Sequence, residues 1–147
     1  MYYERPVQED LLFALEKTIC NVKESFNTIF SRNRYGISYD QWLVLEHVRR
    51  KEGICQSAIA KATVKKPAYI CRLLEKLKTK GLVLKINNET NKRANRIYLT
   101  PKGHELTEKI ESVYQKSINN YFKVVYEREL SLVTEILNRA NKDYHPK

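Results

Sequence analysis

The stretch PAYICRLLEKLKTKGLVLKI, residues 67–86, decides the fold. Four of its apolar residues recur at the spacing i, i+3, i+4 and i+7, which predicts a helix with one buried face: Ile70, Leu73, Leu74 and Leu77. Pro67 suits the first turn of this helix, where its missing N–H would have no partner, and Gly81 suits its end. After Gly81 the apolar residues alternate with the period of a strand. The buried face of this strand is predicted to carry Leu82, Leu84 and Ile86.

Three further helices are predicted before this stretch. The first is indicated by apolar residues at steps of three and four: Val7, Leu11, Leu15, Ile19, Val22, Phe26 and Ile29. Gly36 is expected to end it. Ser38 begins the second helix, because Gln41 three residues on completes a capping-box pattern, and Trp42 opens its buried stripe. A short third helix is predicted around residues 56–62.

A hairpin and two more helices are predicted after the stretch. The polar run of residues 87–95 leads into a second short strand, Arg96–Leu99, so the two strands should form a β-hairpin around a basic loop. Thr100 and Pro101 are an N-cap and a first helical residue, and they predict a long helix to about Val125. A last helix is marked by Leu130, Val133, Leu137 and Ala140. The order of elements is that of a winged helix-turn-helix, a mainly α fold with a small β-hairpin wing.

Composition bounds the class of protein. The chain has 147 residues, 42% of them hydrophobic and 30% charged, which suits a single domain and is too apolar for a disordered chain. No stretch approaches the ~20 apolar residues of a membrane span, and the first residues do not resemble a signal peptide. We therefore expect a cytoplasmic protein with no membrane partner. The three cysteines form no CxxC pair and the three histidines are scattered, which argues against a zinc site or a disulfide framework; no cofactor is expected.

Positive charge is concentrated in the middle of the sequence. The block from Arg49 to Lys102 contains 15 lysines and arginines against three acids, whereas residues 1–48 and 103–147 are nearly neutral. A protein that binds a polyanion concentrates its charge in this way, so the block favours nucleic-acid binding. A solvated basic face is the alternative interpretation.

The geometry of B-DNA indicates which residues would make contact. A helix that enters the major groove needs an apolar inner face and hydrogen-bond donors on its outer face. Tyr69 and Arg72 lie one turn apart near the start of the fourth helix, where base edges are normally reached. Lys65, Lys66 and Lys76 are better placed for phosphates, which set position and affinity rather than sequence. The hairpin is expected to follow the backbone into the minor groove.

Four stretches resemble the MarR family of bacterial transcription regulators: ISYDQWLVLEHV (37–48), CQSAIAKA (55–62), ICRLLEKLKTKGLV (70–83) and RIYLTPKGHEL (96–106). The last two are the more specific, because element order and residue types both agree. In this family the first and the last two helices interlock with a partner chain. The resemblance thus implies one domain over residues 1–147, with a winged helix-turn-helix at 37–100 flanked by dimerisation helices at 1–36 and 101–147.

The resemblance implies a sequence-specific transcription regulator, usually a repressor, that binds a pseudo-palindromic operator in double-stranded DNA as a homodimer. In many members a small molecule or an oxidant alters the spacing of the two reading heads, which leaves room for an unidentified small-molecule effector. By position, Gln56 and Ser57 contact the DNA backbone, Ala68 belongs to the start of the recognition helix, and Arg93 enters the minor groove. The DNA-binding candidates of the hairpin are Lys92, Arg93 and Arg96.

The sequence departs from the family pattern at three places. Asn91 stands where the wing usually has aspartate, so Arg93 lacks a bracing carboxylate. Residues 63–65, Thr-Val-Lys, replace an apolar-Gly-apolar run, and Ala68 and Tyr69 replace small hydroxyl residues. The base preference of relatives therefore does not transfer.

Two cysteines, Trp42 and His104 could have a functional or a purely structural role. Cys20 could sense oxidants, but a buried, inert thiol is the favoured interpretation, and for Cys71 a space-filling role is favoured over redox control. Trp42 is expected in the core rather than in an effector pocket, and His104 at the surface. No paired carboxylates, nucleophile–base pair or phosphate loop indicate an enzyme. The remaining alternatives are a winged-helix protein-interaction module and a non-specific DNA-binding protein without ligand response.

Overall fold

This computed structural model describes residue 4 and the ranges 6–91 and 94–145. Within these ranges the chain forms six helices and three short strands. In chain order they are α1 (Val7–Arg32), α2 (Tyr39–Arg50), β1 (Ile54–Cys55), α3 (Gln56–Thr63), α4 (Pro67–Thr79), β2 (Val83–Ile86), β3 (Arg96–Leu99), α5 (Pro101–Tyr121) and α6 (Glu127–Lys142). The chain divides into two compact units, the first ending at Lys109 and the second beginning at Ile110. The predicted mainly helical fold with a hairpin wing is confirmed.

The junction between α1 and α2 follows from local hydrogen bonds. The side chain of Asn33 donates to the carbonyl of Ile29 at 2.9 Å and ends α1 at Arg32, four residues before the predicted end. Gly36, with φ of +71°, instead lies in the connecting turn. The predicted capping box is confirmed, because the Ser38 hydroxyl accepts from Gln41 N at 3.2 Å and the Gln41 side chain accepts from Ser38 N at 3.0 Å.

The core of the first unit lies where α1, α2 and α4 bring their apolar faces inward. The predicted stripe of α4 is confirmed, since its four residues are at most 4% exposed: Ile70, Leu73, Leu74 and Leu77. Trp42 of α2 is completely buried, as predicted, and meets the ring of Phe30 edge-on at 6.5 Å between centroids. Phe26 stacks on Tyr39 at 5.5 Å. Aromatic contacts therefore join α1 to α2.

The three strands form an antiparallel sheet in the order β1-β3-β2. Ile54 of β1 pairs with Ile97 of β3, and Val83 of β2 pairs with Leu99. β3 has the predicted bounds, but β1 was not predicted because two residues carry no detectable alternation. β3 is consequently the central strand of the wing.

The buried face of β2 differs from the prediction. Val83 is 2% exposed, whereas Leu84 and Ile86, both predicted to be buried, are 57% and 60% exposed. Val83 lies opposite the buried Leu99, so the inner face of the strand begins one residue later than the alternation suggested. Leu82 is buried, but it belongs to the turn before the strand and does not set its phase. The prediction for Leu84 and Ile86 was therefore wrong.

The wing and the start of α5 are joined closely. Thr100 is the predicted N-cap, since its hydroxyl accepts from Gly103 N at 2.9 Å, while its own N–H donates to the carbonyl of Leu82 at 3.1 Å. A Cβ at Gly103 would lie 2.2 Å from that same carbonyl oxygen, so only glycine fits there. α5 ends at Tyr121, four residues before the predicted end.

The second unit contains the rest of α5 together with α6. No residue of α6 is buried. Several large apolar side chains of this unit are exposed: Tyr121, Val124, Val125, Tyr126, Leu132, Val133 and Ile136. None of the helices in the described part of the chain is both long and apolar enough to cross a membrane.

Candidate nucleic-acid interface

A helix-turn-helix is formed by α3, the following turn and α4. The N–H groups of Val64 and Lys65 return to the carbonyls of Lys61 and Ala60, at 3.3 and 3.0 Å, and close the turn. Val64 has φ of +54°, in the left-handed region that usually requires glycine. A β-branched residue there is strained, and with 91% exposure its side chain gains no packing in return.

An open groove of about 590 Å³ lies between α3 and the start of α4. We call it the α3–α4 groove, and its lining residues are Gln56, Ser57, Ala60, Lys61, Val64, Lys65, Lys66 and Pro67. Three of these are lysines and none is acidic. A concave surface with charge of one sign focuses the electrostatic potential, so the groove attracts anions.

Folding brings four of the predicted DNA-binding residues to this groove: Gln56, Ser57, Lys65 and Lys66. Ala68, Arg72 and Lys76 are exposed on α4, whereas Tyr69 is half-buried. Lys61 also lines the groove and was not predicted. Its position four residues after Ser57, on the same face of α3, is the signal that could have identified it.

The exposed side of α4 is dominated by cations. Its one acid, Glu75, accepts a hydrogen bond from Lys85 of β2 at 2.9 Å. This bond and the charge of Lys85 hold the pKa of Glu75 below its usual range. In the part of the chain that the structure describes, Lys66 and Lys76 have no ion-pair partner. Their charges are therefore available to a polyanion.

A cluster of charged and aromatic side chains lies beside the start of α4. Tyr69 Oη donates to Asp40 Oδ2 at 2.7 Å, and Asp40 Oδ1 lies 3.5 Å from the Nζ atoms of both Lys23 and Lys65. The Lys65 ammonium is 5.6 Å, and the Arg72 guanidinium 5.7 Å, from the centre of the Tyr69 ring. We call these five residues the Asp40 cluster. It joins α1, α2, the turn and α4.

Two pKa values in the Asp40 cluster are displaced in opposite directions. Burial is the largest influence on Asp40 and raises its pKa, but the Tyr69 hydroxyl and the ammonium groups of Lys65 and Lys23 together outweigh it and lower the pKa. The pKa of Tyr69 is raised, first by its hydrogen bond to Asp40 and then by burial. Both shifts favour the state in which Asp40 is ionised and Tyr69 keeps its proton. Asp40 and Lys23 were missed by sequence reasoning, because their partners are distant along the chain.

Of the three predicted DNA-binding residues of the wing, the structure describes Arg96. Arg96 lies opposite Cys55 of β1, and its Nη1 donates to the carbonyl of Gly53 at 3.1 Å, so it ties the sheet together and does not line the groove. Lys92 and Arg93 lie outside the described residues. The loop before them is braced by Asn88, whose N–H donates to the buried Asn95 side chain at 2.8 Å.

Cys20, Cys71 and His104 differ in their exposure. Cys20 is exposed, so its predicted burial is wrong for the single chain, because the face of α1 that carries it is not covered by the first unit. Cys71 is partly buried. His104 is at the surface as predicted, with its side chain 51% exposed. Within the described ranges, no three His, Cys, Asp or Glu side chains gather as a metal site would require.

The helix-turn-helix, the antiparallel wing and the basic groove define a protein of the winged helix-turn-helix class. Residues 35–94 match the family model described as MarR family. Over this region the chain is similar to the MarR family of transcription regulators.

Known proteins resemble the chain over most of its length. It is 24% identical over 110 residues to the HTH-type transcriptional regulator SarZ of Staphylococcus epidermidis, covering 75% of this chain and 74% of SarZ. Among solved structures, CouR from Rhodococcus jostii RHA1 bound to p-coumaroyl-CoA has a TM-score of 0.81 at 19% identity, covering 98% of this chain and 100% of CouR. The S. aureus MepR–DNA complex has a TM-score of 0.74 at 20% identity, covering 88% and 93%. These two structures support the fold.

Proposed function

We propose that this regulator acts as a homodimeric repressor that binds a pseudo-palindromic operator in double-stranded DNA. The observation that carries the proposal is the α3–α4 groove, with three lysines and no acid among its described lining residues. It lies against α4, whose apolar inner face is buried and whose outer face bears cations. A helix of this kind fits the major groove of B-DNA.

The proposal divides the site residues between base reading and backbone contact. Arg72 reads a base edge, because guanidinium donors match the acceptors of guanine in the major groove. Lys66 and Lys76 bind phosphates, and Gln56 and Ser57 contact the backbone beside the groove. Residues 37–100 are the DNA-binding region in this proposal. From the family resemblance we assign Lys92 and Arg93 to the minor groove.

Exposed apolar side chains support the dimer. On α1 they are Val7, Leu11, Leu12, Phe13 and Ile19, which are 43–81% exposed. The second unit adds its own exposed apolar set. Apolar helix faces of this size are typical of obligate two-fold interfaces, so residues 1–36 and 101–147 are assigned to dimerisation. Two-fold symmetry would set the two reading helices about 34–36 Å apart, or a multiple of this.

Release by a small molecule is part of the proposal. It is supported by CouR, which has the same fold and is bound to p-coumaroyl-CoA in its structure. A screen for compounds that reduce DNA binding tests this point separately from DNA binding itself.

The proposal is tested by selecting bound sequences from a random duplex library and by light scattering on the same preparation. We expect an enriched palindrome, affinity for it that falls steeply with salt, and a particle of twice the 17.4 kDa chain mass. Binding without any enriched sequence would favour the non-specific alternative. No binding at either of two salt concentrations would favour a protein-interaction module. A monomer that binds the palindrome tightly would overturn the dimer.

A further inference from the structure

We propose that Asp40 and Tyr69 position Arg72 for base reading, so that sequence specificity depends on the hydrogen bond from Tyr69 to a residue of α2 outside the α3–α4 groove. The inference rests on the proposed DNA binding and identifies what sets its specificity. Tyr69 is then a positioning residue and not itself a base reader.

The Tyr69 hydroxyl is held by Asp40. It lies at the third residue of α4, where a side chain would ordinarily reach a base. Its proton is donated to Asp40 Oδ2 at 2.7 Å, a short bond to an ionised acceptor. Since this proton is already committed, the hydroxyl does not donate to a base. The bond instead holds the ring in one orientation against α2.

The Tyr69 ring, held in this way, supports the side chain of Arg72. Arg72 follows Tyr69 by one turn, and its guanidinium lies 5.7 Å from the ring centre, within the range of a cation–π contact. Arg72 is otherwise exposed, and a long exposed side chain samples many rotamers. Contact with a fixed ring restricts those rotamers before DNA arrives. Because the Arg72 side chain is then already ordered, its bidentate contact to a base forms with a smaller loss of conformational entropy.

Lys65, which was predicted to bind a phosphate, packs against the same ring. Its side chain is only 18% exposed, its ammonium lies 3.5 Å from Asp40 Oδ1, and it also faces the Tyr69 ring at 5.6 Å. Lys65 thus packs the ring from a second direction while its charge is balanced by Asp40. In the proposed arrangement Lys65 supports Tyr69, and the neighbouring Lys66 binds the phosphate.

The test uses duplexes enriched by the wild-type chain and a scrambled duplex of the same composition, with three variants of the full-length protein. Tyr69→Phe removes only the hydroxyl, and Asp40→Ala removes its acceptor. Asp40→Asn keeps an oxygen acceptor but removes the charge that balances Lys65. Glu105→Gln, an exposed carboxylate on α5 paired with Lys109, is the matched control for loss of one negative charge. Thermal unfolding of every variant verifies that it is folded.

We expect Tyr69→Phe to lower the ratio of affinities for enriched and scrambled duplexes roughly fivefold, the effect of one hydrogen bond, with scrambled binding unchanged. Asp40→Ala should show the same loss. Asp40→Asn should keep the ratio close to that of the wild type, while its salt slope steepens by about one unit because Lys65 becomes available to phosphate. A merely structural role would change the unfolding temperature without changing the ratio.

The proposal is overturned if folded Tyr69→Phe and Asp40→Ala keep the wild-type ratio while Arg72→Ala loses it. It is also overturned if Asp40→Asn loses the ratio as fully as Asp40→Ala, since charge rather than the hydroxyl bond would then be the cause. A wild-type chain that enriches no sequence overturns the proposed function itself, and this failure is visible before any variant is made.

Discussion

The side chains of Glu52 and His104 are in polar contact, with 2.8 Å between Oε1 and Nε2. The other oxygen of Glu52 accepts the backbone N–H of Leu99 at 3.0 Å. Given the pairing of Ile54 with Ile97, residue 52 is the one that would lie opposite Leu99 if β1 were longer. The carboxylate therefore replaces a strand carbonyl and anchors the root of the wing to α5.

This arrangement predicts unequal effects of removing the two partners. Glu52→Ala leaves the Leu99 N–H without its acceptor and should lower the free energy of unfolding by about 1–2 kcal/mol. His104→Ala removes only a half-exposed polar contact with Glu52 and should lower the free energy of unfolding by less than about 1 kcal/mol. Urea denaturation of both variants measures the difference. Equal losses would show that the hydrogen bond to Leu99 contributes nothing.

Replacing Val64 by glycine should stabilise the protein. The substitution removes the strain of a left-handed backbone conformation at a residue whose side chain is 91% exposed. Glycine also increases the conformational entropy of the unfolded chain, which offsets part of this gain. We expect a net gain of about 0.5–1 kcal/mol, equivalent to a rise of about 2–4 °C in Tm. Ala62→Gly, within α3, is the control and should destabilise by about 1 kcal/mol. A lower Tm for Val64→Gly would contradict the strain.

Arg72 and Lys76 should differ in what their loss does to DNA binding. Arg72→Ala is expected to weaken binding to the enriched operator by ~1–3 kcal/mol and to relax its base preference. Lys76→Ala should weaken all duplexes alike and reduce the salt slope by about one unit. Lys116→Ala, which removes the same charge from the second unit, should leave both quantities unchanged. If neither α4 variant altered sequence preference or salt slope, α4 would not be the reading helix.

Glu46 should make stability depend on pH. Burial, the largest influence, raises its pKa, but hydrogen bonds and the charges of Arg49 and Arg50 outweigh it and lower the pKa below the ordinary 4.5. A lowered folded-state pKa stabilises the fold above the ordinary value and loses that effect as pH falls through the folded value. Glu46→Gln should therefore cost about 1–2 kcal/mol above about pH 5 and progressively less below pH 4.5.

Denaturation at several pH values tests this prediction. The control is Glu105→Gln, whose carboxylate is 69% exposed and should change stability by less than about 0.5 kcal/mol. A difference between wild type and Glu46→Gln that stays constant from pH 7 to pH 3 would exclude a contribution from ionised Glu46.

A charge on α6 should disrupt the proposed dimer. Leu132 is 56% exposed in the single chain, and Leu132→Glu would place a carboxylate in the apolar interface. We expect the light-scattering mass to fall towards that of one chain and operator affinity to fall with it. Asn138→Glu, on the polar side of α6, should leave both unchanged. A Leu132→Glu protein of unaltered mass would remove α6 from the interface.

The sequence predicted those features that depend on neighbours within one turn or one strand pair. The Ser38 cap, the α4 stripe and the start of α5 were found because each arises from contacts three or four residues apart. The buried face of β2 was not predicted correctly, because the pairing with β3 decides which β2 residues point inward, and it places Val83 opposite Leu99. The hydrogen bond between Tyr69 and Asp40 joins residues 29 positions apart, and no local sequence pattern predicts such a contact. Lys65 was accordingly predicted to bind phosphate on the basis of its charge alone, because its contact with Asp40 is not visible in the sequence.

The outer face of β2 has a consequence for the behaviour of the protein at high concentration. In the described sheet this strand pairs with β3 along one edge, and Leu84 and Ile86 project from it into solvent. Lys85, between them in sequence, directs its ammonium to Glu75, so its charge does not separate the two apolar side chains. Unprotected edge strands recruit strands from other chains. Aggregation by edge-to-edge addition would therefore begin at the wing, the same hairpin that the proposed DNA contact would cover.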